Sequence, residues 1–371
     1  MRICKLCEIA KFKTGKLNSN ASKNEGRYPF FTCAPEPLKI DTYAFDTKAI
    51  ILAGNNAEGN FHIQYFEGKF NAYQRTYVIE TIDDTIVDIR YLFYALKMCL
   101  KHFKLVSQGT ATKFLTAKIL NAFELPIPEI DLQQKLVSLL AAIDDKIEEN
   151  QKINENLEQQ AQAIFANEFL SLESLPDGWK RGSLIDVADY LNGLAMQKYR
   201  PAVDEVGIPV LKIKELRQGC CDATSEVCSP NIKTNYIIHD GDVIFSWSGS
   251  LLVDFWCGGI CGLNQHLFKV TSSVYDKWFY YAWTKHHLER FIAVAADKAT
   301  TMGHIKRDEL SKAEVLIPNT ADYNRIGSLL HPIYDLIITN RIECKKLAET
   351  RDTLLPKLMS GEIDVSEVDY E

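Results

Sequence analysis

The sequence predicts an α+β chain: two mixed α/β domains separated by two long helices, the helices pairing as an antiparallel coiled coil across an internal pseudo-twofold repeat. Three observations carry this expectation. The length of 371 residues exceeds what one small core organises. A repeat runs through almost the whole chain. Two extended apolar stripes advance in three- and four-residue steps.

The repeat is clearest in the helical segments. At an offset of 190 residues, Ile127-Pro128 recurs as Ile317-Pro318, Ser138-Leu139-Leu140 as Ser328-Leu329-Leu330, Ile143 as Ile333, Ile147 as Ile337 and Asn150 as Asn340. The same offset pairs Leu115 with Ile305 and Leu120 with Leu310. Near the amino terminus it becomes 178, aligning Leu6 with Leu184, Glu8-Ile9-Ala10 with Asp186-Val187-Ala188 and Gly15 with Gly193. The expected organisation is a first globular domain at 1–125, a long helix at 126–171, a second globular domain at 172–315, and a second long helix with its tail at 316–371.

In the first helical segment the expected pairing face comprises Leu136, Leu139, Ile143, Ile147, Asn150, Leu157 and Ile164. In the second it comprises Leu329, Ile333, Ile337, Asn340, Leu347 and Leu354. A helix from Asp131 to about Leu170 would be ~60 Å long at ~1.5 Å per residue, which suits pairing with its repeat mate. Pro332 and Pro356 should kink the second helix or restart it, since each removes a hydrogen bond and crowds the preceding turn. Asn150 and Asn340 stand at equivalent places on the stripes, so an antiparallel pair is expected to bring their amides together and fix register.

The globular segments mix strand and helix signals. Ile50-Ile51-Leu52 and Thr76-Tyr77-Val78-Ile79 read as strands, as do Val243-Ile244-Phe245 and His266-Leu267-Phe268-Lys269-Val270 in the second segment. Tyr91 to Leu96 and Trp278 to Trp283 open helices, and their aromatics read as core. These segments differ between repeats far more than the helices do, so one scaffold presents two different surfaces.

Charge and cysteine usage narrow the function. The net charge of −7 gathers in the two helical segments, leaving the first globular segment basic and the second near neutral, so DNA binding by either stays open. No apolar run approaches the ~20 residues of a membrane span, and a cytoplasmic location is expected. Ten cysteines then read as reduced, small apolar residues. Cys4-x-x-Cys7 has the spacing of half a zinc site, but Cys257 and Cys261 do not supply a second CxxC, and no metal site is expected. A Walker-type phosphate loop, the GxGxxG spacing and the Asn/Asp-Pro-Pro-aromatic run of an adenine methyltransferase do not occur in the sequence. Glu67-Gly68-Lys69 matches only half of a nuclease ExK pattern. No catalytic residue and no cofactor are therefore assigned to this chain. A metal-dependent DNA-processing enzyme and a non-specific coiled-coil scaffold are the competing classes. Two large divergent globular domains are superfluous to a scaffold.

Three motifs add a resemblance: Leu125-Pro126-Ile127-Pro128 before the first helix, Glu173-Ser174-Leu175-Pro176-Asp177-Gly178-Trp179 opening the second domain, and Leu354-Leu355-Pro356-Lys357-Leu358-Met359-Ser360-Gly361-Glu362-Ile363 closing the last helix. With the repeat, the chain resembles the specificity subunits of type I restriction-modification systems over essentially its full length. The first domain departs from the pattern in having no Pro-x-Gly-Trp lead of its own. The resemblance implies that the globular segments are target-recognition domains, and that double-stranded DNA, two DNA adenine methyltransferase subunits and restriction translocase-endonuclease subunits are partners. S-adenosylmethionine, ATP and Mg would belong to those subunits. Two half-sites separated by an unread spacer would be recognised, the helices setting the distance.

Base reading needs donors and acceptors aimed into a groove, with cations on phosphate for position. In the first domain the candidates are Lys16, Arg27, Asn55, Asn56, Tyr73, Gln74, Arg75, Thr110, Thr112 and Lys113. In the second they are Lys198, Arg200, Lys212, Lys214, Ser246, Ser248, Ser250, Asn264, Gln265, His266, Thr300, Thr301, His304 and Lys306.

Overall fold

The computed structural model describes residues 2–297, 305 and 307–365 and divides into two compact units, Met1–Asp145 with Ala348–Glu371, and Lys146–Leu347. Each unit combines one globular domain with part of both long helices, Ile130–Phe165 and Thr320–Ser360. The helices thus belong to the cores they pass.

The first unit is built on a six-stranded sheet with spatial order Ala10–Thr14, Thr76–Thr81, Phe45–Ala53, Ile63–Ala72, Tyr28–Phe31 and Leu38–Ile40. Every pairing is antiparallel except Tyr28–Phe31 against Ile63–Ala72. Strand Arg2–Lys5 pairs with Glu124–Ile127 and so ties the two ends of the globular part together. Helix Ile89–Met98 is started by Asp88, whose carboxylate accepts the Arg90 and Tyr91 N–H groups. It covers one sheet face with Tyr91, Leu92 and Leu96, and the core continues into Leu136, Leu140, Leu355, Leu358 and Val365. Gln133 anchors the first long helix here: fully buried, it accepts from Asp88 N–H at 2.9 Å and donates to the Ile86 and Pro128 carbonyls at 2.8 Å.

In the second unit, strands Asp189–Asn192, Leu267–Thr271, Val243–Ser246 and Leu252–Phe255 form one antiparallel sheet in that order. A smaller sheet orders Val227–Cys228, Ile208–Leu211, Cys261–Leu263 and Ile237–Ile238. Lys180–Ser183 pairs with Glu314–Ile317 as Arg2–Lys5 does with Glu124–Ile127 in the first unit. Trp278, Phe279, Tyr281 and Trp283 of helix Lys277–His286 are buried, with Phe165, Phe169, Ile326, Leu330, Tyr334 and Ile337 in the same core.

The helices pair antiparallel within each unit. In the first, Arg351 meets Asp144 at 2.6 Å. In the second, Arg341 bridges Glu158 and Asp254 at 2.8 and 2.6 Å, and Arg325 meets Glu168 at 2.7 Å. Three sequence expectations need correction. Leu329 is not on the pairing face but 44% exposed, because the buried face advances through Ile326, Leu330, Tyr334 and Ile337. Asn150 and Asn340 do not hold each other: Asn150 donates to Glu343 at 2.6 Å, while Asn340 donates to Asn154 at 2.9 Å. The register thus sets each amide opposite a residue three or four positions from its repeat mate. Nor do the prolines restart the second helix, which is continuous from Thr320 to Ser360. Pro332 and Pro356 are exposed, as are Ser328 and Asp352 one turn back, so water can take the carbonyls that lose their donors.

Candidate nucleic-acid interface

Both units contain the same irregular backbone motif, held by matching hydrogen bonds. In the first, Thr76 N–H donates to the Tyr73 carbonyl at 2.9 Å, closing a turn whose exposed members are Gln74 and Arg75. Tyr73 forms a parallel bridge with Leu17, and Gln74 N–H donates to the Leu17 carbonyl at 2.9 Å. In the second unit Leu267 N–H donates to the Asn264 carbonyl at 3.0 Å, Asn264 bridges Leu194, and Gln265 N–H donates to the Leu194 carbonyl at 2.9 Å. Tyr73-Gln74-Arg75 and Asn264-Gln265-His266 are therefore equivalent. Gly15 and Gly193 make the close approach possible, because a Cβ there would lie 1.7 Å from the Ala72 carbonyl oxygen and 2.2 Å from that of Asn264.

A second matching pair of bonds brings another segment beside each turn. Leu115 N–H donates to the Gly54 carbonyl at 2.9 Å, and Ile305 N–H to the Trp247 carbonyl at 3.1 Å. In the first unit this segment carries Lys113 and Phe114, which pair with Asn56 and Asn55. Arg75 lies over the Phe114 ring at 5.2 Å, and a concavity of about 450 Å³ opens among Thr14, Gln74, Arg75, Tyr77 and Phe114. The Asn55 side-chain oxygen accepts from the Cys33 thiol at 2.8 Å, and Asn56 Oδ1 accepts from Glu58 and Asn60 N–H. Lys16, Arg27 and Thr110 are exposed; Tyr73, Thr112 and Lys113 are half-buried. Lys16, Arg27 and Thr110 are absent from the lining of the concavity.

The second unit has a concavity of about 500 Å³ lined by Gln197, Arg200, Lys212, Lys214, Glu226, Gln265 and His266, among others. Five candidates separated in sequence, Arg200, Lys212, Lys214, Gln265 and His266, thus meet in one place. Asn264 is 5% exposed; its amide donates to Gln265 Oε1 at 3.1 Å and its oxygen accepts His266 N–H at 3.3 Å. It lines the concavity and braces the turn from within. Ser246 and Ser248 also turn inward. The Ser246 hydroxyl donates to the Ser250 carbonyl at 2.9 Å, and Ser248 Oγ lies 3.1 Å from His266 Nδ1. Ser246 is satisfied by its own loop and Ser248 by His266, so neither buried hydroxyl is free for a base edge. Ser250 is half-buried and Lys198 exposed, while Thr300, Thr301, His304 and Lys306 lie outside the described residues.

Gln197 and Glu226 are additions to the candidates. Glu226 accepts from Lys212 at 2.6 Å and pairs with Arg200 at 3.4 Å, and the Lys212 ammonium holds its carboxyl below the usual value. An acid inside a cationic concavity has no sequence signal. Among the described residues no cluster of three or more His, Cys, Asp or Glu side chains is arranged to hold a metal ion, and no helix is long and apolar enough to cross a membrane.

Comparison with known proteins supplies the family. The model described as "Type I restriction modification DNA specificity domain" matches residues 1–159 and again 176–348. The chain is 27% identical over 311 residues to the type I restriction enzyme MjaIX specificity subunit of Methanocaldococcus jannaschii, covering 77% of this chain and 71% of that protein. It is 37% identical over 163 residues to the EcoDI specificity subunit of Escherichia coli, covering 43% of this chain and 35% of that protein. In fold it is similar to the crystal structure of a type I restriction-modification system S subunit from M. genitalium, with a TM-score of 0.57 and 14% identity, over 96% of this chain and 95% of that one. With both halves matching one family model, the chain belongs to the type I restriction-modification DNA specificity subunits.

Proposed function

We propose that this subunit reads a bipartite duplex target, with residues 1–125 and 172–315 each acting as a target-recognition domain on one half-site. The observation that carries the reading is the duplicated turn, in which an invariant backbone presents Gln74 and Arg75 in one unit and Gln265 and His266 in the other. Gln suits a two-point contact with adenine and Arg a fork onto guanine. Lys16, Arg27, Lys113, Lys198, Arg200, Lys212 and Lys214 then serve as phosphate contacts that position each domain, and Asn55, Asn56, Tyr73, Thr110, Thr112 and Ser250 supply further polar reach.

Methyl transfer and cleavage fall to partner subunits: two DNA adenine methyltransferases, which use S-adenosylmethionine, and translocase-endonuclease subunits, which use ATP and Mg. Methylome sequencing of a host expressing the subunit with its methyltransferase tests the reading. A methylated two-part motif with a fixed spacer is expected. Methylation that is unchanged when this chain is omitted, or that follows a single uninterrupted motif, would overturn it.

A further inference from the structure

The second unit contains a thiol pair that DNA reading does not use. Cys221 stands in the loop that leaves helix Ile213–Gln218 through Gly219, a left-handed residue at φ 74. Cys261 begins the strand Cys261–Leu263 inside the smaller sheet. Their sulfurs lie 3.5 Å apart, Cys261 fully buried and Cys221 partly open to solvent. A disulfide needs about 2.05 Å, so the sulfurs must approach by roughly 1.5 Å to bond. Among the described residues no other two thiols come within hydrogen-bonding distance.

We propose that Cys221 and Cys261 form an oxidisable dithiol which hydrogen peroxide converts to a disulfide. Cys221 is the attacking group. It is the member of the pair open to solvent; the contact with the Cys261 sulfur holds it below the ordinary thiol value and Lys345 adds in the same direction, whereas that contact and burial push Cys261 up. The Cys221 thiolate attacks one peroxide oxygen, the O–O bond breaks, and the departing oxygen leaves as hydroxide, which takes a proton to become water. The resulting sulfenic acid is then attacked by the Cys261 sulfur, which loses its proton as the S–S bond forms and the hydroxyl departs as a second water. Two thiols give up two electrons and two protons, and the peroxide is reduced to water.

The crosslink would join the two walls of the recognition concavity. Cys221 follows the helix that begins beside Lys212 and Lys214, and Cys261 lies on the strand that runs into Asn264-Gln265-His266. This consequence rests on the DNA reading above, whereas the thiol chemistry does not.

The purified full-length chain is treated with stoichiometric hydrogen peroxide, alkylated and mapped by mass spectrometry. The expected result is loss of two of the ten free thiols and a dithiothreitol-reversible link between peptides 218–233 and 234–269. Cys221→Ser, a loop change that leaves the core intact, should abolish the link, and Cys220→Ser should retain it. Recovery of Cys221 as sulfinic acid with Cys261 still alkylatable, or a Cys220–Cys221 bridge, would overturn the proposal. Target DNA affinity is measured on the oxidised and reduced forms. A severalfold change that is absent in Cys221→Ser supports the coupling, and a fully formed disulfide without it would remove only that coupling.

Discussion

Gln74 and Gln265 hold the same backbone position in the two halves of the repeat, each giving its N–H to a leucine carbonyl, Leu17 or Leu194, at 2.9 Å. The turn is fixed by main-chain bonds while its side chains vary. A reader built this way changes target by substitution without altering its scaffold. Gln265→Ala should therefore relax one base position in one half of the recognised motif, and Gln74→Ala one in the other. A lost two-point contact weakens discrimination by about 1–3 kcal/mol, roughly 5- to 150-fold at that position. Methylome sequencing of each variant checks this; a variant that leaves both half-motifs unchanged would remove its glutamine from the reading surface.

Glu226 lines the second unit's concavity and occupies two of its cations, Lys212 at 2.6 Å and Arg200 at 3.4 Å. Both pairs are exposed, so they add little stability. Their effect falls on binding, because incoming phosphates must compete with a carboxylate already in place. Glu226→Gln should raise affinity for non-target duplex severalfold and steepen its salt dependence by about one to two counterions. Discrimination between target and non-target should fall. Titration across a salt series is the measurement, and an unaltered slope would show that the carboxylate does not restrain these cations.

Much of this interface was legible because the repeat aligns main-chain roles as well as side chains. Leu115 and Ile305, paired by sequence offset alone, donate to equivalent carbonyls of Gly54 and Trp247. Side-chain direction was harder to read. Ser246 and Ser248 sit in a polar run that looks like surface, yet both are buried, their hydroxyls meeting the Ser250 carbonyl and the His266 ring. Leu329 shares apolar character with Leu330, and only the burial of Tyr334 four residues further on fixes which of them faces the core. Glu226 was hidden because its partners are brought to it by strand pairing distant in sequence.

His287 links the second unit's stability to pH. Its Nε2 lies 2.8 Å from the Glu314 carbonyl oxygen, which can only accept, so that nitrogen carries a proton and donates. Burial, above all, lowers its pKa below the ordinary 6.5, and His286 beside it is lowered by burial too. The unfolded chain therefore binds protons that the folded chain resists. The stabilisation is fully present above 6.5 and is lost as pH falls through the depressed folded values. Urea denaturation at about pH 7.5 and about pH 5.5 should show a lower midpoint at the acidic pH. His287→Gln can keep a donor toward Glu314 without titrating, so it should flatten this dependence. An equal acid loss in the variant would assign the effect to other groups.

Asn154 and Asn340 form a buried polar pair in the second unit's helix seam: Asn340 donates to Asn154 at 2.9 Å, and Asn154 donates to the Ile337 carbonyl at 3.3 Å. Both are under a tenth exposed, so neither amide has water as a ready substitute. Asn340→Leu strands the Asn154 oxygen, and Asn154→Leu strands the Asn340 amide. Each single change should cost about 1–3 kcal/mol through the group left without a partner. The double change removes both polar groups and fills the seam with apolar volume, so its cost should be less than the sum by about 1–2 kcal/mol. If the pair also fixes register, the double variant should regain stability while its methylated motif loses a unique spacer, since an apolar seam tolerates sliding. Denaturation of the four chains supplies the cycle, and methylome sequencing supplies the spacer. Additive losses would mean the two amides act independently. A recovered stability with one sharp spacer would leave register to the flanking ion pairs of Arg341 with Glu158 and Asp254.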